Sequence, residues 1–324
     1  MPTLTYLEAI SLALREEMRE DPRVFLIGED IGGYGGAFKV TKGFLEDFGE
    51  SRVVDTPIAE SMIAGVSIGA AIRGMRPVAE MQFADFITCA FNQLATYASM
   101  NYYRTGIPLP MTVRLPYGGG LTAGPFHSKC PEGWFYHIPG LKLVAPSTPR
   151  DARGLLKAAI RDPNPVLYFE HKYLYRRMKE DVPEHDEIVP LGKGIVRREG
   201  RHLTVITYGA AVQASLEAAA ALAKDGIESE VVDMRTLLPY DRALLLESAK
   251  KTGKVLIVHE ATKTGGIGGD WAATIAEEAF EHLDAPVRRL AALDTPVPFS
   301  PVLEPRYLPN AKKIEAALRE LAAY

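Results

Sequence analysis

Short β-rich runs, continuously apolar rather than alternating, take turns along this chain with longer stretches of helical period. The runs are Val24–Gly28, Arg52–Asp55, Pro77–Met81, Thr112–Leu115, Leu141–Ala145 and Val166–Phe169. Strands buried on both faces belong to parallel sheets covered by helices on both sides. The stretches near 60–74, 83–104 and 149–161 supply the amphipathic segments for that cover. The N-terminus goes straight into a helix. Thr5 and Glu8 have the spacing of a capping box, and Leu7, Ile10, Leu14 and Met18 mark one face.

Residues 176–201 lose this pattern: they are charged, contain Pro183 and Pro190, and read as a connection. A second series of strands then follows, at Leu203–Tyr208, Glu230–Asp233, Lys254–His259 and Val287–Ala291. Helices are expected near 210–225, 240–251, 268–283 and 309–322. The pattern predicts an α/β protein of two open, mostly parallel, doubly wound sheets. The expected domains are 1–185 and 201–324, with a linker at 186–200.

Charge and composition narrow the partners more than the fold. A formal net charge of −4 provides no global basic field for nucleic acid or an anionic membrane. The basic clusters at Arg176, Arg177, Lys179 and at Arg197, Arg198, Arg201 are answered by nearby acids. Two cysteines, Cys89 and Cys130, make no disulfide framework. There is no signal-peptide pattern and no apolar run of membrane-spanning length. The expectation is a cytoplasmic protein, or one of the mitochondrial matrix once a targeting segment is removed.

In open α/β sheets the carboxyl ends of the strands carry the chemistry. Glu60 stands there, where the strand ending at Asp55 turns into a helix rich in small residues. It reads as an acid or base on a rigid element, or as a first-turn acid that complements the helix dipole. Gln82 ends the next strand beside Glu80, with Phe86 beyond it as a core or pocket aromatic. His127 lies in a glycine-rich segment from Pro116 to Pro131, long and irregular enough to suggest function. If strand ends line one crevice, Glu60, Gln82 and His127 converge. The run Gly32-Gly33-Tyr34-Gly35-Gly36 reads as a phosphate cradle or a mobile loop. Gly265 to Asp270 misses the dinucleotide fingerprint and reads as a turn opening a helix. Gly65 and Gly69 put a small-residue stripe on one helix, for packing on its own sheet or against another subunit.

Taken in order, several motifs carry a family resemblance. They are Gly28-Glu29-Asp30, Asp55-Thr56-Pro57-Ile58-Ala59-Glu60, Arg76 to Phe83, His127-Ser128, Pro139 to Lys142, Ala158 to Pro165, Asp233 to Leu237 and Asp294-Thr295-Pro296. The chain resembles the beta subunit of the thiamine-diphosphate-dependent decarboxylase component of 2-oxo acid dehydrogenase complexes, from about residue 3 to its end. The resemblance implies a pyrimidine-binding domain followed by a transketolase C-terminal-like domain. It implies oxidative decarboxylation of pyruvate or a branched-chain 2-oxo acid, with acyl transfer to the lipoyl group of the acyltransferase component. Glu60 would hydrogen-bond a pyrimidine ring nitrogen of thiamine diphosphate and favour its imino tautomer. Ile58, Gln82 and Phe86 would seat the ring, and His127 would assist acyl transfer. A potassium ion would be held at Met111, Thr112, Ala159, Ile160, Asp162 and Asn164. Phe86 replaces a tyrosine common in relatives, and Lys129 stands where relatives commonly have glutamine. The Gly-Asp-Gly motif that binds the diphosphate and its Mg2+ is absent, which implies an alpha subunit and an α2β2 heterotetramer. An acetoin-cleaving relative and a non-catalytic α/β binding subunit are the alternatives.

Overall fold

Parallel strands form where the apolar runs predict them. The structure is a computed structural model describing residues 1–324, and its chain divides into two compact units. One comprises Met1–Tyr117 and Trp134–Leu191; the other comprises Gly118–Gly133 and Gly192–Tyr324.

The first unit contains β1 (Thr3–Thr5), β2 (Val24–Gly28), β3 (Val53–Asp55), β4 (Arg76–Glu80), β5 (Thr112–Tyr117), β6 (Lys142–Val144), β7 (Val166–His171) and β8 (Lys179–Asp181). Six of them run parallel in the order β6-β7-β5-β4-β2-β3. The register sets Gly28 opposite both Asp55 and Glu80, so three strand ends finish level. β1 and β8 form a separate antiparallel ribbon; β8 lies inside the stretch that reads as patternless.

The first helix, Tyr6–Glu20, starts as its sequence requires. Thr5 Oγ1 accepts the Glu8 amide at 3.2 Å, and the Glu8 carboxylate accepts the Thr5 amide at 2.8 Å. Its buried face is Tyr6, Ile10, Ala13, Leu14 and Met18. Leu7 is only half-buried, because the apolar stripe is centred one position earlier than the leucines suggest.

The stretch 83–104 is not one regular helix. It runs as a 3₁₀ segment Ala84–Ala90, a π-helical turn Gln93–Ala98 and a short α-helix Asn101–Thr105. The Ser99 amide reaches back five residues to the Leu94 carbonyl. Gly140 packs on the widened turn: a Cβ there would lie 2.1 Å from the Ser99 carbonyl oxygen, and its φ is +94°. Only glycine allows that approach.

The second unit has β9 (Ile195–Arg198), β10 (Leu203–Thr207), β11 (Ser229–Asp233), β12 (Thr236–Leu238), β13 (Val255–Thr262) and β14 (Arg288–Ala292). Its five-stranded sheet runs β14-β13-β10-β11-β9, parallel except for the edge strand β9. β9 falls within the residues that read as a linker; its side chains are half-buried, so it carries no apolar run. Leu203, Val205, Val231, Leu256 and Val258 meet Ile314, Leu318 and Leu321 of the last helix, Ala311–Ala322, in one core. No helix in the chain is long and apolar enough to cross a membrane.

Candidate active site

The level ends of β2, β3 and β4 gather acids. Gly28 is required between them, because a Cβ there would lie 2.9 Å from the Glu80 carbonyl oxygen. Asp55, ending β3, accepts the Gly32 amide at 2.6 Å, and the Gly36 amide donates to the Asp30 carbonyl at 2.7 Å. Gly35 and Gly36 take φ near +80° to make this turn. The glycine run is therefore an ordered turn fastened to an acid. Surrounded by Asp30, Asp55 and Glu80, it is a poor cradle for phosphate.

Glu60 is the first residue of the helix Glu60–Ile72 and is 8% exposed. Its neighbour across the strand ends is Glu29. Burial raises the Glu29 pKa first and the negative charge of Glu60 next, against a lowering by the Ala59 amide. Glu29 Oε1 is buried without a hydrogen-bond partner. Gln82 donates its side-chain amide to Asp30 Oδ2 at 3.0 Å. Phe86 is half-buried and packs edge-on to Phe83 at 5.8 Å, while Ile58 is 84% exposed. Glu60, Ile58, Gln82 and Phe86 thus belong to the turns at one end of one sheet.

Glu80 has a different fate. Its carboxylate pairs with Arg114 directly across the β4–β5 register. Arg114 also pairs with Glu170 of β7, which accepts the Tyr175 hydroxyl at 2.9 Å. All four side chains are buried. Burial pushes the Glu80 carboxyl up, opposed by the attraction of Arg114.

His127 belongs to the other unit. It follows a 3₁₀ turn, Gly124–Phe126, and its amide donates to the Gly124 carbonyl at 3.4 Å. Lys129 lies 5.8 Å from the Phe126 ring, so a cation–π contact holds the charge that departs from the common pattern. The Cys130 thiol faces Glu260 Oε1 at 3.7 Å. Gly266 and Gly268 pack on the His259 imidazole, which a Cβ at either would approach within 3 Å. Crowding by that ring explains the glycines of the helix-opening turn.

The cation positions of Met111, Thr112, Ala159, Ile160, Asp162 and Asn164 are partly spoken for. Arg76 donates to the Ile160 carbonyl at 2.8 Å and to the Asp162 carbonyl at 3.4 Å. Lys142 pairs with the Asp162 carboxylate, the Asp162 amide caps onto the Ala159 carbonyl, and the Val166 amide donates to the Met111 carbonyl. Asn164 Oδ1 and Thr112 Oγ1 are buried without partners.

The Gly65 and Gly69 stripe does not face its own sheet. Both residues are exposed, and a Cβ at either would meet nothing within 4 Å. Met62, Val66 and Ile72 extend the uncovered apolar surface of that helix.

Two models of known domains match. The description "Transketolase, pyrimidine binding domain" fits residues 2–178, and "Transketolase, C-terminal domain" fits residues 192–314. Over 327 residues, and all of both chains, the sequence is 53% identical to the 2-oxoisovalerate dehydrogenase subunit beta of Bacillus subtilis (strain 168). The chain belongs to the beta subunits of 2-oxo acid dehydrogenases. Within this family it is also 46% identical to the mitochondrial 2-oxoisovalerate dehydrogenase subunit beta 2 of Arabidopsis thaliana, covering 98% of this chain and 88% of that one. The pyruvate dehydrogenase E1 component subunit beta of Bacillus subtilis is 44% identical over the whole of both chains. A solved structure titled "Split gene transketolase, inactive beta4 tetramer" superposes with a TM-score of 0.79 at 27% identity, covering 99% of this chain and 98% of that one. The sequence does not single out Glu132 or Glu304, and it presents Glu29 only within a motif: each is an acid in a turn or short helix, and only folding reveals its neighbours.

Proposed function

We propose that this chain builds one side of a thiamine-dependent active site that decarboxylates a 2-oxo acid oxidatively, a branched-chain one before pyruvate. The order of substrates rests on the higher identity to the 2-oxoisovalerate subunit than to the pyruvate one. The observation that carries the site is the buried Glu60 at a helix start, faced by Glu29, whose proton affinity it raises. An acid so placed accepts a proton from, or shares one with, a ring nitrogen brought to it. The uncovered side chain of Ile58 and the half-buried ring of Phe86 are apolar surfaces suited to an aromatic heterocycle. The orphaned Glu29 Oε1 is a further polar atom for bound groups or water to satisfy.

Thiamine diphosphate, when bound, supplies the electron sink for carbon–carbon cleavage. The residues of this chain do the rest from their own side. Glu60 holds a proton at the pyrimidine nitrogen and sets the tautomer; Gln82, Ile58 and Phe86 orient the ring. His127 serves as the acid that assists acyl transfer to a lipoyl group carried by an acyltransferase partner. The diphosphate and its Mg2+ fall to an alpha subunit, since this chain has no Gly-Asp-Gly motif. The exposed stripe of Gly65 and Gly69, flanked by Met62 and Val66, is where an α2β2 assembly packs helix on helix.

The test uses the chain co-expressed with its alpha subunit. Glu60→Gln is expected to lower thiamine-dependent decarboxylation about 100-fold or more, within the ~100- to 10,000-fold range of acid–base groups. Activity equal to wild type rejects the role of Glu60, and decarboxylation by this chain alone rejects the shared site.

The orphaned oxygens of Asn164 and Thr112 suit a hard cation, and a potassium ion there would share Asp162 with Lys142. Exchanging potassium for choline at constant ionic strength is expected to cost about 1.4 kcal/mol of stability, given potassium at roughly ten times its dissociation constant. Identical melting in the two salts removes the ion from the scheme.

A further inference from the structure

Two carboxylates of the second unit grip the segment that carries His127. Glu304 is 3% exposed and uses both of its oxygens on backbone: Oε1 accepts the Gly120 amide at 2.9 Å, and Oε2 accepts the Thr122 amide at 2.9 Å. Glu260 Oε1 takes the Gly119 amide and faces the Cys130 thiol at 3.7 Å, so it touches both ends of the same loop. The Gly118 amide closes the loop base onto the Lys129 carbonyl at 3.3 Å. Beyond the base, the Tyr208 hydroxyl donates to Glu132 Oε1 at 2.6 Å.

The backbone between these anchors is held in shapes it would not choose. Thr122 has φ +55°, in the left-handed region that costs a residue with a Cβ about 1–2 kcal/mol. Gly124, at φ +70°, lies so close to Phe299 that a Cβ would sit 2.4 Å from the ring. The 3₁₀ turn to His127 begins at that glycine. The charge-assisted bonds of Glu304 hold Thr122 in this conformation, and the conformation fixes where the turn starts and so where His127 is carried.

We infer that Glu304, supported by Glu260, is a positioning residue that sets the His127 loop for acyl transfer. Its consequence for transfer rests on the role given above to His127; its grip on the loop does not. Glu304→Gln keeps the size of the side chain but turns an acceptor oxygen into a donor facing a backbone N–H.

The experiment takes wild type, Glu304→Gln and His127→Gln as assembled with the alpha subunit and measures three things. Hydrogen exchange in peptides spanning residues 118–130 is expected to rise at least about tenfold in Glu304→Gln, with the sheet of the same unit unchanged. Decarboxylation read with an artificial electron acceptor stays within about twofold, while transfer to a free lipoylated domain falls about 10- to 100-fold, as expected for displacement of a reacting group by about 1 Å. Unchanged loop exchange overturns the inference. So does an equal fall in both half-reactions with a lowered melting temperature, which would make Glu304 merely structural. If transfer survives in His127→Gln, the reading of His127 fails; the positioning of the loop then stands or falls on the exchange result. Should Glu304→Gln not assemble, Glu260→Gln, which weakens the hold on the Gly119 amide, takes the same measurements with the same criteria.

Discussion

Glu60 opens a helix and Glu80 closes β4 at the same end of one sheet, and they meet opposite surroundings. Glu80 faces a buried guanidinium and is consumed in an Arg114–Glu170 network. Glu60 faces another acid, Glu29, and its negative charge adds to burial in raising the Glu29 pKa. The second unit repeats the first fate: Glu260 and Glu304 are taken up by backbone amides. An acid with its partner built in stabilises the fold, whereas an acid set against its like is available to something that binds. Residue type does not distinguish the two; neighbours do.

The strongest way to break this contrast is Arg114→Met. It leaves Glu80 and Glu170 buried together without a counter-charge, at a cost of about 3–5 kcal/mol. Chemical denaturation should show that loss, or the chain should fail to accumulate folded. A near-neutral result would mean that the acids protonate and that the network adds little. Glu60→Gln should behave oppositely, with stability within about 1 kcal/mol of wild type, since only a first-turn dipole contact is given up and repulsion with Glu29 is relieved. A large loss of stability there would place Glu60 among the structural acids.

A pH-dependent effect sharpens the contrast inside the second unit. Glu132 is an intermediate case: burial pushes its pKa up to about 7 despite the Tyr208 hydrogen bond. Because the folded pKa lies above the unfolded one, the folded state keeps a proton that the unfolded state has released between about pH 4.5 and 7. The Glu132 contribution is therefore full below that window and is lost as pH rises through it, by on the order of 3 kcal/mol. His259, lowered to about 4 by burial, acts in the reverse sense, costing stability as pH falls from 6.5. Subtracting wild type from Glu132→Gln isolates the acid: the variant should gain on wild type steadily from pH 5 to 7.5. A flat difference across that range would show that Glu132 is ionised in the fold.

Much of the architecture could be read along the chain. The uninterrupted apolar runs of Val24–Gly28 and Val166–Phe169 specify doubly covered strands by composition alone, and Thr5 with Glu8 specifies a helix start by local spacing. Segments whose form depends on remote contact were less legible. The stretch 83–104 has helical period, yet it breaks into 3₁₀ and π turns where Gly140 presses on Ser99. β8 is charged and largely exposed in a two-stranded ribbon, and β9 is a half-buried edge strand; pairing, not hydrophobicity, makes them strands. Of the proposed site, Ile58, Glu60 and Gln82 lie within the quoted motifs, and Phe86 lies just beyond one. Glu29 could not be seen as the neighbour of Glu60, because register across β2 and β3 brings them together.

By itself, then, the sequence determined the parallel strands, the capped helices and the motif residues of the family, since each depends on periodicity or on a few adjacent side chains. Only the tertiary structure decided which acids were neutralised and which were not. That outcome depends on burial and on charges and backbone amides more than 30 residues apart, as Glu80 with Arg114 and the Gly120 amide with Glu304 show. Electrostatic energy follows distance and solvent in three dimensions, and neither is written in sequence separation.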